Sequence, residues 1–372
     1  MKKGWSYKKL GEVCNIDFGT RVVRSRDAGS IYPVYGGGGA TFKMDTYNRE
    51  DCMVISRFGM SEQCTRFVKG KFFLNDSGLT LSMKKDCMIQ GFMDWQIVYL
   101  NNTIYSLGRG AAQKNLDTKA LAEVVIVYPN NLSEQLSIVS RLDAAFAHID
   151  ALKANAEKQL AEARQLFQKL SDDILQNEYW EKTTLHEICK QITDGTHRTP
   201  HYISKGVPFL SVKNVTSGFI DFENTKFISE EEHSEFVKRC NPTYGDILYT
   251  KVGTTGVAKV IDVKQKFSIF VSLALLKIED NLVYNKFLEY VLNSPYVYKQ
   301  SQKLTSGAAN RNFLLNDIKK VELFLPSINT QHQIVSRLDA LSANIKKLEE
   351  LQRKTLAECD ALKQAMLREV FE

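Results

Sequence analysis

The seven residues Ile138-Val-Ser-Arg-Leu-Asp-Ala144 recur unchanged from Ile334 to Ala340, and each copy opens a long segment with heptad spacing of apolar residues. A chain of this kind carries one unit twice. The likeness reaches upstream, where Gly110-Ala-Ala-Gln-Lys-Asn115 parallels Gly307-Ala-Ala-Asn-Arg-Asn312 and both stretches run to a proline, Pro129 and Pro326. Over those twenty positions six residues are identical, where chance gives about one. The start of the unit is repeated as well: Trp5, Leu10, Glu12, Cys14 and Pro33 answer to Trp180, Leu185, Glu187, Cys189 and Pro208.

The offset between copies is 175 at Pro33/Pro208 and 197 at Gly110/Gly307, so the second copy holds 22 extra residues between Pro208 and Gly307. The polar stretch from Phe219 to Lys238, with Glu230-Glu-Glu232, is the expected insertion, a decoration remote from any binding face. A period near 196 far exceeds the about 20 to 50 residues of solenoid repeats, so each unit reads as a globular domain followed by a helix. The expected segments are domains at 1–130 and 179–326 and helical spacers at 131–178 and 327–372.

In the first spacer Ser133 is the expected N-cap. Apolar residues then alternate at spacings of four and three: Leu142, Phe146, Ile149, Ala156, Leu160, Ala163, Phe167, Leu170 and Ile174, interrupted by Lys153. In the second, Thr330-Gln-His-Gln333 reads as a capping box, and Leu338, Leu341, Ile345, Leu348, Cys359, Leu362 and Met366 mark the seam. No proline falls in either segment, and each helix can run about 40 residues, or about 60 Å. Two narrow seams in one chain predict that the helices from Ser133 to Asn177 and from Thr330 to Phe371 pair with each other. An approximate two-fold axis between the units would make that pair antiparallel.

A content of 44% hydrophobic and 25% charged residues is ordinary for a soluble globular protein. The N-terminus lacks the apolar core of a secretory signal, and no run of about 18 apolar residues exists, so no membrane association and a cytoplasmic location are expected. Seven cysteines without a Cys-x-x-Cys pair are expected as buried thiols in a reducing compartment. His197 and His201 flank Pro200 with no cysteine pair nearby, and no metal is expected. Positive charge is uneven: residues 1–130 hold 18 Lys and Arg against 12 Asp and Glu, and residues 179–326 hold 19 against 16. The spacers hold 5 against 8 and 7 against 7. The excess lies in the domains, where a polyanion would bind.

Both domains read as mixed α/β. Strands are expected at 51–56 and 124–128, then at 245–250, 267–272 and 321–325, with a helix over 281–292. Several loops combine glycine with basic and hydroxyl residues: Gly19 to Arg26, Tyr35 to Gly39, Asp194 to Thr199, Lys213-Asn214, and Lys251 to Gly256. Unobstructed backbone amides suit phosphates, while Arg, Lys and Asn carry the donors that read base edges. Ordinary turns with solvated charges would look alike one loop at a time.

Catalytic signatures are missing. The run Gly36 to Gly39 does not open a helix as a dinucleotide fingerprint must, and no Walker A sequence occurs. Asn241-Pro242 is followed by Thr243, unlike the Asn/Asp-Pro-Pro-aromatic signature of adenine methyltransferases. No Glu-x-Lys follows the strands near Asp51 or Asp246, as a nuclease site would need.

The order of these phrases, each occurring twice, resembles the specificity subunit of type I restriction-modification systems over essentially the whole chain. The stretches that carry the likeness are Asp194-Gly-Thr-His-Arg-Thr-Pro200, Gly206-Val-Pro-Phe-Leu-Ser-Val-Lys-Asn-Val215 and the paired Ile-Val-Ser-Arg-Leu-Asp helices. The resemblance implies an α+β fold in which two mixed α/β target recognition domains are separated by an antiparallel coiled coil in a pseudo-two-fold repeat. It implies that each domain reads one half of a bipartite site on double-stranded DNA, and that the helices set the spacer. It further implies docking of two methyltransferase subunits, which bind S-adenosylmethionine, with a motor-nuclease restriction subunit as an additional partner. This chain itself would hold no cofactor and perform no chemistry.

On that reading the recognition residues are Thr20, Arg21, Arg24, Arg26, Tyr35 and Lys114 in the first domain. In the second they are Thr196, His197, Arg198, Lys213, Asn214, Lys251, Thr254 and Arg311. A stand-alone DNA-modifying enzyme and a coiled-coil protein-binding scaffold are the competing readings.

Overall fold

Each copy is closed by its own ends: Trp5–Lys9 pairs antiparallel with Val125–Pro129, and Glu181–Thr184 with Glu322–Leu325. The computed structural model describes residues 2–84, 87–111, 113–305 and 312–372. They form two compact units, Met1–Ala156 with Arg353–Glu372, and Glu157–Gln352. Each unit therefore holds one globular domain, half of its own long helix and half of the other copy's.

In the first unit a six-stranded sheet runs in the order Cys14–Phe18, Gly78–Met83, Arg49–Ser56, Thr65–Leu74, Tyr32–Tyr35, Ala40–Met44. All pairs are antiparallel except Tyr32–Tyr35 against Thr65–Leu74. The helix Gln90–Tyr99 covers one face and buries Phe92, Met93 and Ile97. The long helices complete that core with Leu142, Phe146, Leu367, Val370 and Phe371. Phe371 stacks edge-on against Phe92 at 5.4 Å.

The second unit repeats this design with one long strand cut in two. Cys189–Asp194, Leu273–Ile278, Ile247–Thr250 and Ala258–Val260 form a four-stranded sheet, and Lys226–Ile228, Val207–Leu210 and Ser268–Ile269 a separate three-stranded one. Val207–Leu210 pairs antiparallel with Lys226–Ile228 and parallel with Ser268–Ile269, as Tyr32–Tyr35 does with its neighbours. Ala258–Val260 and Ser268–Ile269 thus replace the continuous Thr65–Leu74, and the expected strand at 267–272 shrinks to two residues. The helix expected over 281–292 begins only at Asn285, because Tyr284 is extended and gives its N–H to the side chain of Gln331 at 2.8 Å.

The two spacers are helices Leu132–Leu175 and Ile328–Phe371. Both start earlier than expected. Asn131, not Ser133, caps the first, its Oδ1 accepting the Ser133 N–H at 2.8 Å. Ser327, ahead of the anticipated Thr330 box, caps the second, its Oγ accepting the Thr330 N–H at 3.4 Å. A side chain two or three residues upstream of an orphan N–H is the one that reaches it. In the first unit Lys153 meets Asp360 at 2.7 Å and Lys363 meets Asp150, so residue numbers rise on one helix as they fall on the other. The pairing is antiparallel; in the second unit Arg164 and Glu349 join the same two helices at 2.6 Å. These exposed pairs are worth about 0–1 kcal/mol each, so they set register rather than stability. Leu142, Phe146, Ile149 and Leu160 are buried as the heptads require. Leu362 is not: it is 51% exposed, while Leu367, Val370 and Phe371 turn into the domain core. Near its end the helix lies on a domain rather than on one helix, and its buried stripe widens accordingly.

The repeated heptapeptide joins helix to domain. Trp95 Nε1 donates to Asp143 at 2.8 Å, and the Tyr290 hydroxyl donates to Asp339 at 2.7 Å. Among the described residues no helix is long and apolar enough to cross a membrane. All seven cysteines are free, four buried and three partly so, and burial pushes the Cys14, Cys189 and Cys240 thiols up to about 12.

Candidate nucleic-acid interface

Two glycines create the same backbone crossing in both domains. Gly19 donates to Gly78 O at 3.0 Å and Thr20 to Leu74 O at 2.9 Å; Gly195 donates to Leu273 O at 3.3 Å and Thr196 to Ile269 O at 3.1 Å. A Cβ on Gly19 would lie 1.9 Å from Asn75 O, and one on Gly195 would lie 2.0 Å from Ile269 O. Only glycine lets the chain pass so close to its neighbour, and the crossing places Thr20 and Thr196 alike.

The same frame gathers three more loops. Ser77 Oγ accepts the Gly37 N–H at 3.1 Å, and Ser272 Oγ accepts the Val212 N–H at 3.0 Å. The carbonyl of Ser77 accepts from Arg57 at 2.8 Å, that of Ser272 from Lys251 at 3.0 Å. Arg57 O then accepts from Leu116 and Lys251 O from Phe313, at 2.8 and 2.7 Å. Backbone bonds therefore match Thr20 with Thr196, Gly37 with Val212, Arg57 with Lys251, and Phe18 with Asp194.

On this shared frame the side chains differ. In the first domain the Arg57 guanidinium lies over the rings of Phe18 and Phe58, 4.7 and 4.5 Å from their centroids. Arg66 donates to Gly37 O at 2.8 Å, and Lys114 lies 3.8 Å over the Tyr105 ring while its carbonyl accepts from Met60. Tyr35 is half-buried, edge-on to Phe72 at 5.4 Å. Arg21 is exposed on the loop leading out from Thr20, and Arg24 and Arg26 on the short helix Arg24–Asp27, where Arg26 is paired with Asp27 at 2.8 Å. Three ring-stacked or half-buried cations and three exposed arginines make a surface suited to phosphates and bases.

In the second domain the centre is a carboxylate. Asp194, 2% exposed, binds Lys251 at 3.0 Å, Arg239 at 2.5 Å and His197 at 3.2 Å. Lys251 is itself only 4% exposed, so its charge is spent on the fold. Asn214 is also buried and fully employed: its Oδ1 accepts from Ser211, and its Nδ2 donates to Asp221 O and Asn224 O. Lys213 and Thr254 are exposed, and Thr254 rides a turn closed by Gly256 N–H on Thr250 O at 2.9 Å. Arg311 lies outside the described residues.

The extra residues of the second copy do not stay remote. By strand register Phe227 matches Lys43, an offset of 184, and Lys251 matches Arg57, an offset of 194. The extension thus lies on both sides of Lys226–Ile228, a strand belonging to the shared fold. It adds the helix Glu230–Phe236, whose Glu232 and Glu235 approach Arg198 at 3.8 and 3.1 Å. Sequence reading passed over Arg57, Phe18, Phe58, Arg66 and Arg239. A signal existed for the first of them: Ser56-Arg57-Phe58-Gly59 and Thr250-Lys251-Val252-Gly253 share a hydroxyl, basic, apolar, glycine order at a strand end.

The fold and these loop clusters define an internally duplicated α+β chain with two like-built but differently furnished loop edges and paired antiparallel helices. The model of the protein family described as "Type I restriction modification DNA specificity domain" matches residues 2–162 and again 177–358. The chain belongs to that family. It is similar to the type I restriction enzyme EcoBI specificity subunit of Escherichia coli, 26% identical over 285 residues covering 69% of this chain and 60% of that protein. The EcoKI subunit of Escherichia coli strain K12 is 25% identical, over 73% of this chain and 62% of that protein. A putative type I specificity subunit from Haemophilus influenzae is 24% identical over 90% of this chain and 86% of its own length. The chain thus spans about three fifths of the two Escherichia coli proteins. Among solved structures, a chain described under complex assembly and conformational transition of the type I R-M system superposes with a TM-score of 0.77 at 16% identity, covering 100% of this chain and 98% of that one. The HsdS subunit of Thermoanaerobacter tengcongensis gives 0.55 at 17% identity, over 100% and 97%. At these identities the structures speak for the fold.

Proposed function

We propose that this chain is the DNA specificity subunit of a type I restriction-modification complex, each domain reading one half of an asymmetric bipartite site. The observation that carries this is the twice-built loop frame with unlike side chains. Matching loop crossings present Arg57 between two phenylalanines in one copy and an ionic cluster on Asp194 in the other. Two like-built scaffolds with different contents read two different sequences. Phosphate contacts from exposed Arg and Lys position each domain, and base-edge contacts specify.

The repeated helices are the surfaces for two copies of one methyltransferase partner. In the first unit Trp95, Phe146, Lys363 and Leu367 line a groove of about 780 Å³, and in the second Tyr290, Ser342, Phe167 and Ser171 line one of about 600 Å³ at corresponding positions. The partners bind S-adenosylmethionine and methylate adenine, and a restriction subunit joins the same complex. This chain supplies recognition without chemistry and works in the cytoplasm, where DNA is.

Single-molecule mapping of methyladenine in cells expressing this chain with its methyltransferase partner tests the reading. Methylation at a split motif with two unlike halves is expected. Methylation or cleavage by the purified chain alone, with S-adenosylmethionine and magnesium, would overturn it in favour of a stand-alone enzyme. Absence of salt-dependent DNA affinity would favour a protein-binding scaffold.

A further inference from the structure

Asp194 is a charge removed from water, and such a group persists only when paired. Its side chain is 3% exposed, and Lys251, 5% exposed, already neutralises it at 3.0 Å. Arg239 is then a surplus cation. It binds the other carboxylate oxygen through Nη2 at 2.5 Å, while its side chain remains 55% exposed. His197, 61% exposed, touches the same carboxylate from the loop that follows Gly195. Two permanent cations against one anion leave the cluster net positive, at the position that Phe18 holds in the first domain. A guanidinium has five N–H donors in a rigid fork, and here one edge of that fork is pinned while the rest faces solvent.

Arg198, the more obvious arginine of this loop, is differently placed. It is engaged by Glu235 at 3.1 Å, with Glu232 at 3.8 Å, both on the helix of the extension. The extension therefore neutralises Arg198 and, three residues beyond that helix's last residue Phe236, supplies Arg239. The first domain has Phe18 where the second has Asp194, so the guanidinium that reaches this point, that of Arg49, donates to the Phe18 carbonyl at 3.2 Å and not to a carboxylate.

We infer that Arg239, with His197, is a phosphate-binding site on the second domain's recognition edge, and that Asp194 is the positioning residue that aims it. The inference rests on the DNA-reading assignment above. It makes the two half-sites unequal in mechanism: one domain relies on a guanidinium held by a buried carboxylate, and the other has Phe18 in that carboxylate's place.

The test uses the full chain in complex with its methyltransferase partner. The probes are duplexes carrying the mapped motif intact, with one half scrambled, or with the other half scrambled. In 0.15 M salt Arg239→Gln should weaken binding to the intact duplex by about threefold to tenfold and make the slope of log affinity against log salt shallower by about 0.9, the share of one phosphate. Arg239→Lys should restore the slope but only part of the affinity, since it keeps the charge and loses the fork. Asp194→Asn adds a positive charge, so a purely electrostatic role would raise affinity for every duplex. Positioning instead predicts lower affinity for the intact duplex and loss of preference at one half only. Because Asp194→Asn strands Lys251 and can unfold the domain, the exposed Arg239 variants decide. An unchanged slope and affinity in Arg239→Gln, with a wild-type complex that binds DNA in a salt-dependent way, would overturn this inference alone. A wild-type complex without such binding would take the specificity-subunit reading down with it.

Discussion

Gln135 and Gln331 occupy the same place in the two copies, each 0% exposed and each holding its own long helix to its own domain. Gln135 accepts the Ile89 N–H at 2.9 Å and donates to Cys87 O and Pro129 O at 3.0 and 2.8 Å. Gln331 accepts from Tyr284 at 2.8 Å and donates to Leu282 O and Pro326 O at 2.8 and 2.9 Å. One carboxamide, carried on the first turn of the spacer, thus ties it to the segment entering a domain helix and to the end of the closing strand. Two such brackets fasten each spacer's first turn to its own domain.

Replacing either glutamine with alanine leaves three buried backbone groups without partners. Each orphan costs about 1–3 kcal/mol, and partial solvation should bring the observed loss to about 3 kcal/mol in urea unfolding. Gln135→Glu should cost nearly as much, because a carboxylate cannot donate to Cys87 O or Pro129 O. A loss below about 1 kcal/mol in Gln135→Ala would show that the bracket is dispensable.

The two crossings forbid a side chain. Gly19→Ala and Gly195→Ala should each destabilise the protein by upwards of about 2 kcal/mol, since the clash is with backbone oxygen that cannot swing aside. The neighbouring Gly38, with nothing within 4 Å of an added Cβ and an ordinary φ, should accept alanine without measurable loss. Thermal unfolding of the three variants side by side decides the point.

Asp94 titrates out of range because burial pushes its carboxyl up to about 6, although Gln90 donates to it at 2.9 Å. Below pH 4 the folded and unfolded chains both hold the proton. As pH rises from about 4 to about 6 the unfolded chain releases it first, so stability falls across that window and stays lower above it. The full difference is about 3 kcal/mol at about 1.4 kcal/mol per unit. Asp94→Asn keeps the acceptor for Gln90 and should flatten this fall while raising stability at pH 7. Urea unfolding at pH 4.5 and 7 reads both effects, and an unaltered profile would clear Asp94.

Removing one heptad from each long helix shortens the pair by about 10 Å, or about three base steps of DNA. Under the proposed function the mapped motif should keep both halves and lose about three base pairs of spacer. An unchanged spacer would show that the helices do not measure it.

Much of this architecture was legible before any coordinate. Heptads are local and periodic, so the spacers could be placed to within a few residues, and only their caps, Asn131 and Ser327, were misplaced. Leu362 misled because a heptad register assumes one partner, whereas the end of the second helix rests on a domain. The loop clusters were legible as loops, and the contacts of their residues were not. Arg57 and Arg239 carried no motif of their own, and Asn214 and Lys251 looked like free donors although the fold consumes both.

The sequence by itself determined the duplication, the two long helices and the concentration of positive charge in the domains, because identity, period and composition are readable along a chain. Tertiary structure alone decided which side chains meet. Asp194, Arg239 and Lys251 come from separate segments and become one site only when the strand Cys189–Asp194, the turn after Glu230–Phe236 and the end of Ile247–Thr250 converge. Burial then separates the two cations, since Lys251 at 4% exposed is enclosed by the fold and Arg239 is more than half exposed to solvent.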